Sequence, residues 1–476
     1  MSKSISRTFR LRSMHKDIKS QRNIKNGSRK VAKSQRNIKN DSHQVAKSQR
    51  IKNNTFWVIF YNILVILIYP IIILVSFFNS KIRAGVRGRK ITLKKLTNWR
   101  KNIDDKDSII MVNCSSLGEY EQAKPVIEKI KAENPKIKIA LSFFSPSGYE
   151  NFKYNNLVDI VYYLPFDLYW KMSKLINIMN PIAIIDTSYD IWPNLLFNAN
   201  KKGITHYLIS ARLKENTSKL KPIFRNFFRV LFSYYKRIFT VSKNDYELFG
   251  SLLRSLSRVT NIGDTRFDNV EKRYQKYKDT ELLPTHWKNE QVFIFGSTHS
   301  EDYDKIMPAI KLLQNKYKNL HFVVAPHDPE ENIYLMFKEE LSSLEKLSKI
   351  SSESEVKNIY VDTIGDLAKL YFSSDFAYVG GGFGNDGLHN VMEPAVCGIP
   401  IFIGPNNSNS IEASELIKKG VIFEFNSSAQ LVNIVNSLIN NSDNYKNISK
   451  KAREYIIRSV GASEKIIEYL RNDKII

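Results

Sequence analysis

YVGGGFGNDGLHNVMEPAVCGIPIFIGPNN, residues 378–407, is the stretch on which the reading of the chain turns. Residues 375–379 form a short apolar, aromatic run, the pattern of a buried strand. Gly380, Gly381, Gly382 and Gly384 follow, broken only by Phe383. Glycine tolerates positive φ and lets backbone N–H groups come close to a ligand. Asn390 is a good N-cap, and Glu393 stands three residues on, as in a capping box. The next strand begins at Ile401 after Gly398-Ile-Pro400. A helix entry facing a glycine-rich turn suits an anion; the other reading is a βα turn with no ligand.

Outward from this stretch, short apolar runs alternate with helical segments. Residues 292–295, 321–325, 359–361, 376–379 and 401–403 form one series. An earlier series lies at 108–113, 137–144, 160–164, 183–186, 205–210 and 237–241. A polar, charged break separates them between 260 and 291. Strands spaced by helices in this way build parallel, doubly wound sheets. The expectation is therefore an α/β chain of two Rossmann-like domains facing a cleft. The last helices, 447–472, are expected to pack back across that cleft.

Composition fits this division. At 476 residues and 43% hydrophobic content, the chain is too long for one ordinary domain and can build real cores. The formal charge is +25, and residues 1–55 carry 16 Lys and Arg against Asp17 and Asp41. That tail repeats KSQRNIKN at 19–26 and 33–40, and KSQRIKNN at 47–54. It is too polar to bury a core and suits anionic membrane lipids. It lacks the interleaved aromatics of a nucleic-acid binder, and no nucleic acid is expected. Residues 56–78 carry no charge, long enough for a membrane anchor that spans or lies in one leaflet. Basic residues flank this segment on both sides, so the positive-inside rule does not orient it. Cys114 and Cys397 offer neither a disulfide framework nor metal-ligand spacing. No metal ligands and no cofactor are expected.

Chemistry belongs at the carboxyl ends of the strands. Glu119, in Ser115-Ser116-Leu117-Gly118-Glu119, places a carboxylate near a helix N-terminus, as a general base or as a helix-dipole charge. Asp186 and Asp190 end another strand, and Arg266 lies near the domain junction. In the second domain, loops carrying Ser297, Thr298 and His299, Pro326 and His327, and Ile364, Gly365 and Asp366 share one face with the 389–393 segment. Glu393 suits a ribose diol.

The motifs SSLGEYEQAKPVI, FFSPSGYE, YLPFD, GDTRFD, GSTH, APHDPE, DTIGDLAKLY and GGGFGNDGLHNVMEPAVCGIPIFIGPN occur in order along the chain. From about Phe56 to its end the chain thereby resembles the 3-deoxy-D-manno-octulosonic acid (Kdo) transferases of glycosyltransferase family 30, in its Bacteroidetes-like branch. Residues 1–50 lie outside this resemblance. It implies a GT-B fold and inverting transfer of Kdo from CMP-Kdo to a lipid A precursor (lipid IVA), at the cytoplasmic face of the cell inner membrane. It implies Glu119 as general base, with Asp190 and Arg266 assisting the developing charge. It places CMP on Pro326, His327, Ile364, Gly365, Asp366, Asn390, Val391, Met392 and Glu393, beside Ser297 and Thr298. Many members have Arg at the position of His327, and Glu at those of Asp190 and Asp366. The competing functions are transfer from a UDP-sugar to a membrane lipid, and a membrane-tethered binding protein without activity. The units read from the sequence are a tail at 1–55, an anchor at 56–78, an acceptor-side domain at 79–270 and a nucleotide-side domain at 271–476.

Overall fold

Strand β1 (Ile109–Cys114) is buried along its whole length and lies between two parallel neighbours. This is what an unbroken apolar run does when helices cover both faces of a sheet. The computed structural model describes residues 56–104, 106–385 and 387–476; the basic repeats of 1–55 lie outside them. The first sheet adds β2 (Lys138–Phe143), β3 (Ile160–Tyr163), β4 (Ala183–Thr187), β5 (Thr205–Ala211), β6 (Arg237–Thr240) and β7 (Val259–Asn261), in the order β3-β2-β1-β4-β5-β6-β7. The second contains β8 (Gln291–Thr298), β9 (Leu320–Pro326), β10 (Leu344–Lys346), β11 (Asn358–Tyr360), β12 (Phe376–Val379), β13 (Ile401–Ile403) and β14 (Ile422–Glu424), in the order β10-β11-β9-β8-β12-β13-β14. All pairings are parallel. In each sheet the strand order reverses once, between β1 and β4 and between β8 and β12, and these reversals open the crevices where ligands sit.

The eleven expected strands are present, and three more, β7, β10 and β14, were not expected. Each of the three has only three residues and closes a sheet edge. An edge strand of that length, half in solvent, carries too little apolar pattern to be read.

Helix Arg266–Tyr277 runs through the polar break and contains position 270, where the domain boundary was drawn. Its Phe267 and Val270 are buried in the core of the second sheet. Helix Ser442–Ser459 packs on the same core through Ile448, Ala452 and Ile456. Helix Ala462–Asn472 crosses to the first domain and buries Ile466, Ile467 and Leu470 there. Gly461, at φ 109°, makes the corner between them. Asp268 accepts the N–H groups of Gly461 (2.5 Å) and Ser463 (2.7 Å) at that corner. The expected return of the chain across the cleft is thus made by its final helix.

The apolar segment forms helix Phe56–Val75, long and apolar enough to cross a membrane by length and composition. One stripe of it lies on the first domain. Tyr61 Oη donates to Asp167 (2.8 Å), and Asn62 Nδ2 donates to Asn194 Oδ1 (3.0 Å). Tyr69 packs edge-on to Phe166, and Trp57 against Phe227. Val58, Tyr61, Val65, Tyr69, Ile72 and Ile73 follow helical spacing along this stripe. The other faces expose Phe60, Ile63, Leu67, Ile71 and Leu74. Just beyond, Arg89 is buried in helix Ser80–Lys101, donates to Leu164 O (2.9 Å) and to Phe144 O, and lies 4.3 Å from the Phe144 ring centroid.

Candidate active site

The crevice between β1 and β4 receives Glu119 from the helix that follows β1. Ser116 caps that helix, its Oγ accepting the Glu119 N–H at 3.4 Å. The Glu119 carboxylate turns back and accepts the Ser115 N–H. Burial raises its pKa to about 7; the Ser115 bond opposes the rise, and the Asp190 and Asp186 carboxylates add to it. A carboxyl poised near neutrality at a strand-order reversal is equipped for proton transfer.

Asp190 is exposed on the loop after β4 and close enough to add to the Glu119 shift. Beside it stands Lys219, which the sequence reading missed. Its Nζ donates to Tyr189 O at 2.7 Å, burial lowers its pKa, and Asp190 opposes that fall. Nothing in its local sequence separates it from other surface lysines. Asp186 does other work: it is buried and accepts from Asn113 Nδ2 (2.7 Å) and Tyr235 Oη (2.6 Å), with His206 Nε2 at 3.2 Å. It braces the floor of the crevice.

Arg266 enters a four-residue ion cluster between the domains. Its Nη2 reaches Asp264 Oδ2 at 2.7 Å and Glu412 Oε1 at 2.6 Å. Arg212 reaches the same two oxygens at 2.8 and 3.0 Å. Asp264 and Arg212 belong to the first domain, and Glu412 to helix Ile411–Lys418 of the second. Two guanidinium groups facing two carboxylates leave the cluster without net charge. Burial works to raise Asp264, but Arg266 and Arg212 hold it below the usual carboxylate range.

A second bridge reaches the loops of the second domain. Arg273 pairs with Glu393 (2.7 Å) and with Glu121 (2.5 Å), two residues along from Glu119. The expected capping box is not formed. Helix Met392–Val396 has Val391 as N-cap, Asn390 Oδ1 accepts the Met392 N–H (3.0 Å), and Glu393 turns to Arg273. A charged partner offers more than the second backbone donor of a capping box. Burial raises the Glu393 carboxyl, with Arg273 opposing. Val391 and Met392 are buried.

The remaining second-domain residues gather at the carboxyl ends of β8, β9, β11 and β12. Ser297 adopts φ 51° and Thr298 is buried at the end of β8. Pro326 ends β9, and the N–H of exposed His327 donates to Thr298 O (3.0 Å). Ile364 is 81% exposed on the loop after β11, next to Gly365 at φ 99°. Asp366 accepts from Thr363 Oγ1 (2.8 Å) and Lys369 Nζ (2.6 Å), and the Lys369 bond lowers its pKa. Glycine at 382 is required by close approach, since a Cβ there would meet Gly404 N at 2.7 Å.

Asp302, which the sequence reading passed over, organises this face. It is fully buried and accepts from Tyr378 Oη (2.7 Å), the His299 N–H (2.8 Å) and the Gly381 N–H (3.2 Å). A cavity of 440 Å³ opens beside it, lined by Thr298, His299, Tyr303, His327 and Asp328. Another, of 340 Å³, lies at the amino ends of β8 and β12, away from the loops that bear these groups.

Residues 88–269 match the family described as 3-Deoxy-D-manno-octulosonic-acid transferase (kdotransferase). The chain is 25% identical over 370 residues to the 3-deoxy-D-manno-octulosonic acid transferase of Haemophilus influenzae, covering 76% of this chain and 86% of that one. It is likewise 25% identical over 380 residues to that of Rickettsia bellii, covering 78% and 88%. Among solved structures, UDP-GlcNAc 2-epimerase from Neisseria meningitidis bound to UDP-GlcNAc superposes with a TM-score of 0.53 at 15% identity, over 77% of this chain and all of that one. The expected GT-B architecture is the fold of this chain.

Proposed function

This chain is a glycosyltransferase and a relative of the Kdo transferases, and from that premise we propose that it moves Kdo from CMP-Kdo to lipid IVA with inversion at the anomeric carbon. One observation carries the reading. Glu119, with its pKa near 7, lies two residues from Glu121, which Arg273 couples to Glu393 on the nucleotide side. The coupling supports reading Glu119 as the base and helix Met392–Val396 as the nucleotide-facing helix of one cleft.

In the proposed reaction the acceptor hydroxyl gives its proton to Glu119 as its oxygen bonds to the anomeric carbon. The bond from that carbon to the phosphate oxygen breaks, and CMP departs with the electron pair. Asp190 faces the positive charge that develops on the sugar ring. Arg266, a quarter exposed while paired with Asp264 and Glu412, faces the departing phosphate. Glu393 and Asp366 hold the nucleoside, and Ile364 gives its base an apolar surface. No step requires a metal ion.

The membrane-borne acceptor suits the apolar faces left open on helix Phe56–Val75. A helix whose one stripe is fixed to the first domain cannot also cross the bilayer away from it, so we place it in one leaflet, with the domains at the cytoplasmic face. Purified protein incubated with CMP-Kdo and lipid IVA should yield a product heavier by Kdo residues. A UDP-sugar offered in place of CMP-Kdo should give none. Transfer from the UDP-sugar and none from CMP-Kdo would overturn the reading.

A further inference from the structure

Three histidines meet where no metal site was expected. His299 follows β8, His327 follows β9, and His389 closes the glycine-rich loop after β12. We propose that together they bind one divalent transition-metal ion of the zinc type at the nucleotide-side mouth of the cleft. The inference does not rest on the transfer of Kdo.

The geometry is of the right scale. One ligating nitrogen from each ring lies within 4.8 Å of the others. His299 Nε2 and His389 Nε2 stand 2.7 Å apart. The ring centroids are separated by 4.8, 5.0 and 4.7 Å. A tetrahedral zinc ion with Zn–N bonds of about 2.0–2.1 Å needs nitrogens about 3.3 Å apart and ring centroids about 5 Å apart. The rings already have that spacing. Ion binding requires the nitrogens to turn inward: the His299–His389 contact opens by about 0.6 Å, and any pair near the 4.8 Å limit closes by about 1.5 Å.

The backbone beneath them is fixed. The His299 N–H is held by buried Asp302, the His327 N–H by Thr298 O and the His389 N–H by Gly380 O (3.2 Å). Asp302 also holds Gly381 and Tyr378, so one carboxylate braces two of the three loops. Ligands held before the ion arrives lose little freedom on binding it. Three imidazoles select zinc, copper, nickel or cobalt over magnesium or calcium, which prefer oxygen. They leave a fourth position open, as catalytic and ligand-exchanging sites do. His299 and His327 also line the 440 Å³ cavity, so an oxygen anion entering there can complete the coordination.

The test uses the metal alone. Full-length protein in detergent, treated with EDTA and desalted, is titrated with cobalt(II) chloride and then with zinc chloride. One equivalent of cobalt should give the intense visible bands of a four- or five-coordinate site, bleached by zinc. His327→Ala, at an exposed position, should weaken cobalt binding at least about tenfold, the lower end of what outer-shell changes cost. His389→Ala should do the same. His286→Ala removes a histidine near His321, ring centroids 6.1 Å apart, and should leave binding unchanged. The proposal fails if cobalt keeps the pale spectrum of a six-coordinate aquo ion. It fails equally if His327→Ala and His389→Ala bind as tightly as the native chain, which would mark the binding as adventitious.

Discussion

Arg273 holds Glu393 through a 2.7 Å hydrogen bond and spends its other terminal nitrogen on Glu121, so one guanidinium joins the two sides of the cleft. Replacing Glu393 by Ala therefore loosens an interdomain tie and, under the proposed function, removes a nucleoside contact as well. CMP binding should weaken by about 10- to 150-fold, the range for losing a hydrogen bond to a charged group. Calorimetry with CMP checks this. An unchanged affinity would leave Glu393 only its pairing with Arg273.

Under the proposed function, Glu119 sets the pH dependence of the reaction. A general base works only when deprotonated, and this carboxyl holds its proton until about pH 7. The value of kcat/KM should thus fall about tenfold per pH unit below that point and level off above it. Glu119→Gln should lower turnover about 10²- to 10⁴-fold, abolish this limb and leave CMP binding intact. Turnover above about a tenth of the native value, with the limb retained, would remove Glu119 from the proton transfer.

The Arg266 cluster predicts acid lability. Asp264 is held below its unfolded pKa by Arg266 and Arg212, so its contribution to stability is full above the unfolded value, about 3.9, and is lost as the pH falls further. Arg266→Ala leaves Asp264 and Glu412 with Arg212 alone and should cost about 1–3 kcal/mol. Thermal unfolding at neutral pH should show the loss, and it should shrink toward pH 3. A deficit equally large at pH 3 and pH 7 would contradict this account.

For the membrane segment the expected outcome concerns sidedness. If helix Phe56–Val75 lies in one leaflet, residues 1–55 and the catalytic domains share one side. Ser20→Cys and Lys349→Cys, made separately, should both react with an impermeant maleimide in inside-out vesicles. Reaction of the tail only from the opposite face would mean that the helix spans.

The tail should matter through charge. A chain lacking residues 1–50 should keep its turnover in detergent yet float less with anionic vesicles. The deficit should narrow at high salt, where screening acts within about 8 Å at physiological ionic strength and less above it. Loss of turnover in detergent would place the tail in the catalytic unit.

Much of this protein was legible from local pattern. Eleven strands declared themselves because a strand buried on both faces must be apolar throughout. Glu119 could be singled out because a carboxylate just inside a helix after a strand has few places to be except a crevice mouth. The glycines at 380–382 were readable because only glycine permits the approach to Gly404 and the φ of 88° at Gly381.

What pattern could not supply was partnership. Glu393 looked like a capping residue because its local donor is visible in sequence, whereas Arg273 lies 120 positions away. The stripe of helix Phe56–Val75 that docks was hidden because the segment is apolar all round; only contact with Asp167, Asn194 and Phe166 singles it out. The three histidines come from loops far apart in the chain, and they meet because β9, β8 and β12 are neighbours in the sheet. Sequence by itself determined the eleven buried strands and the helices and turns between them, since burial and backbone conformation act over a few residues; the three short edge strands it left unread. The order in which the strands pair, and the docking of the two domains through helix Arg266–Tyr277, depend on long-range packing, and together they decided which side chains face one another across the cleft.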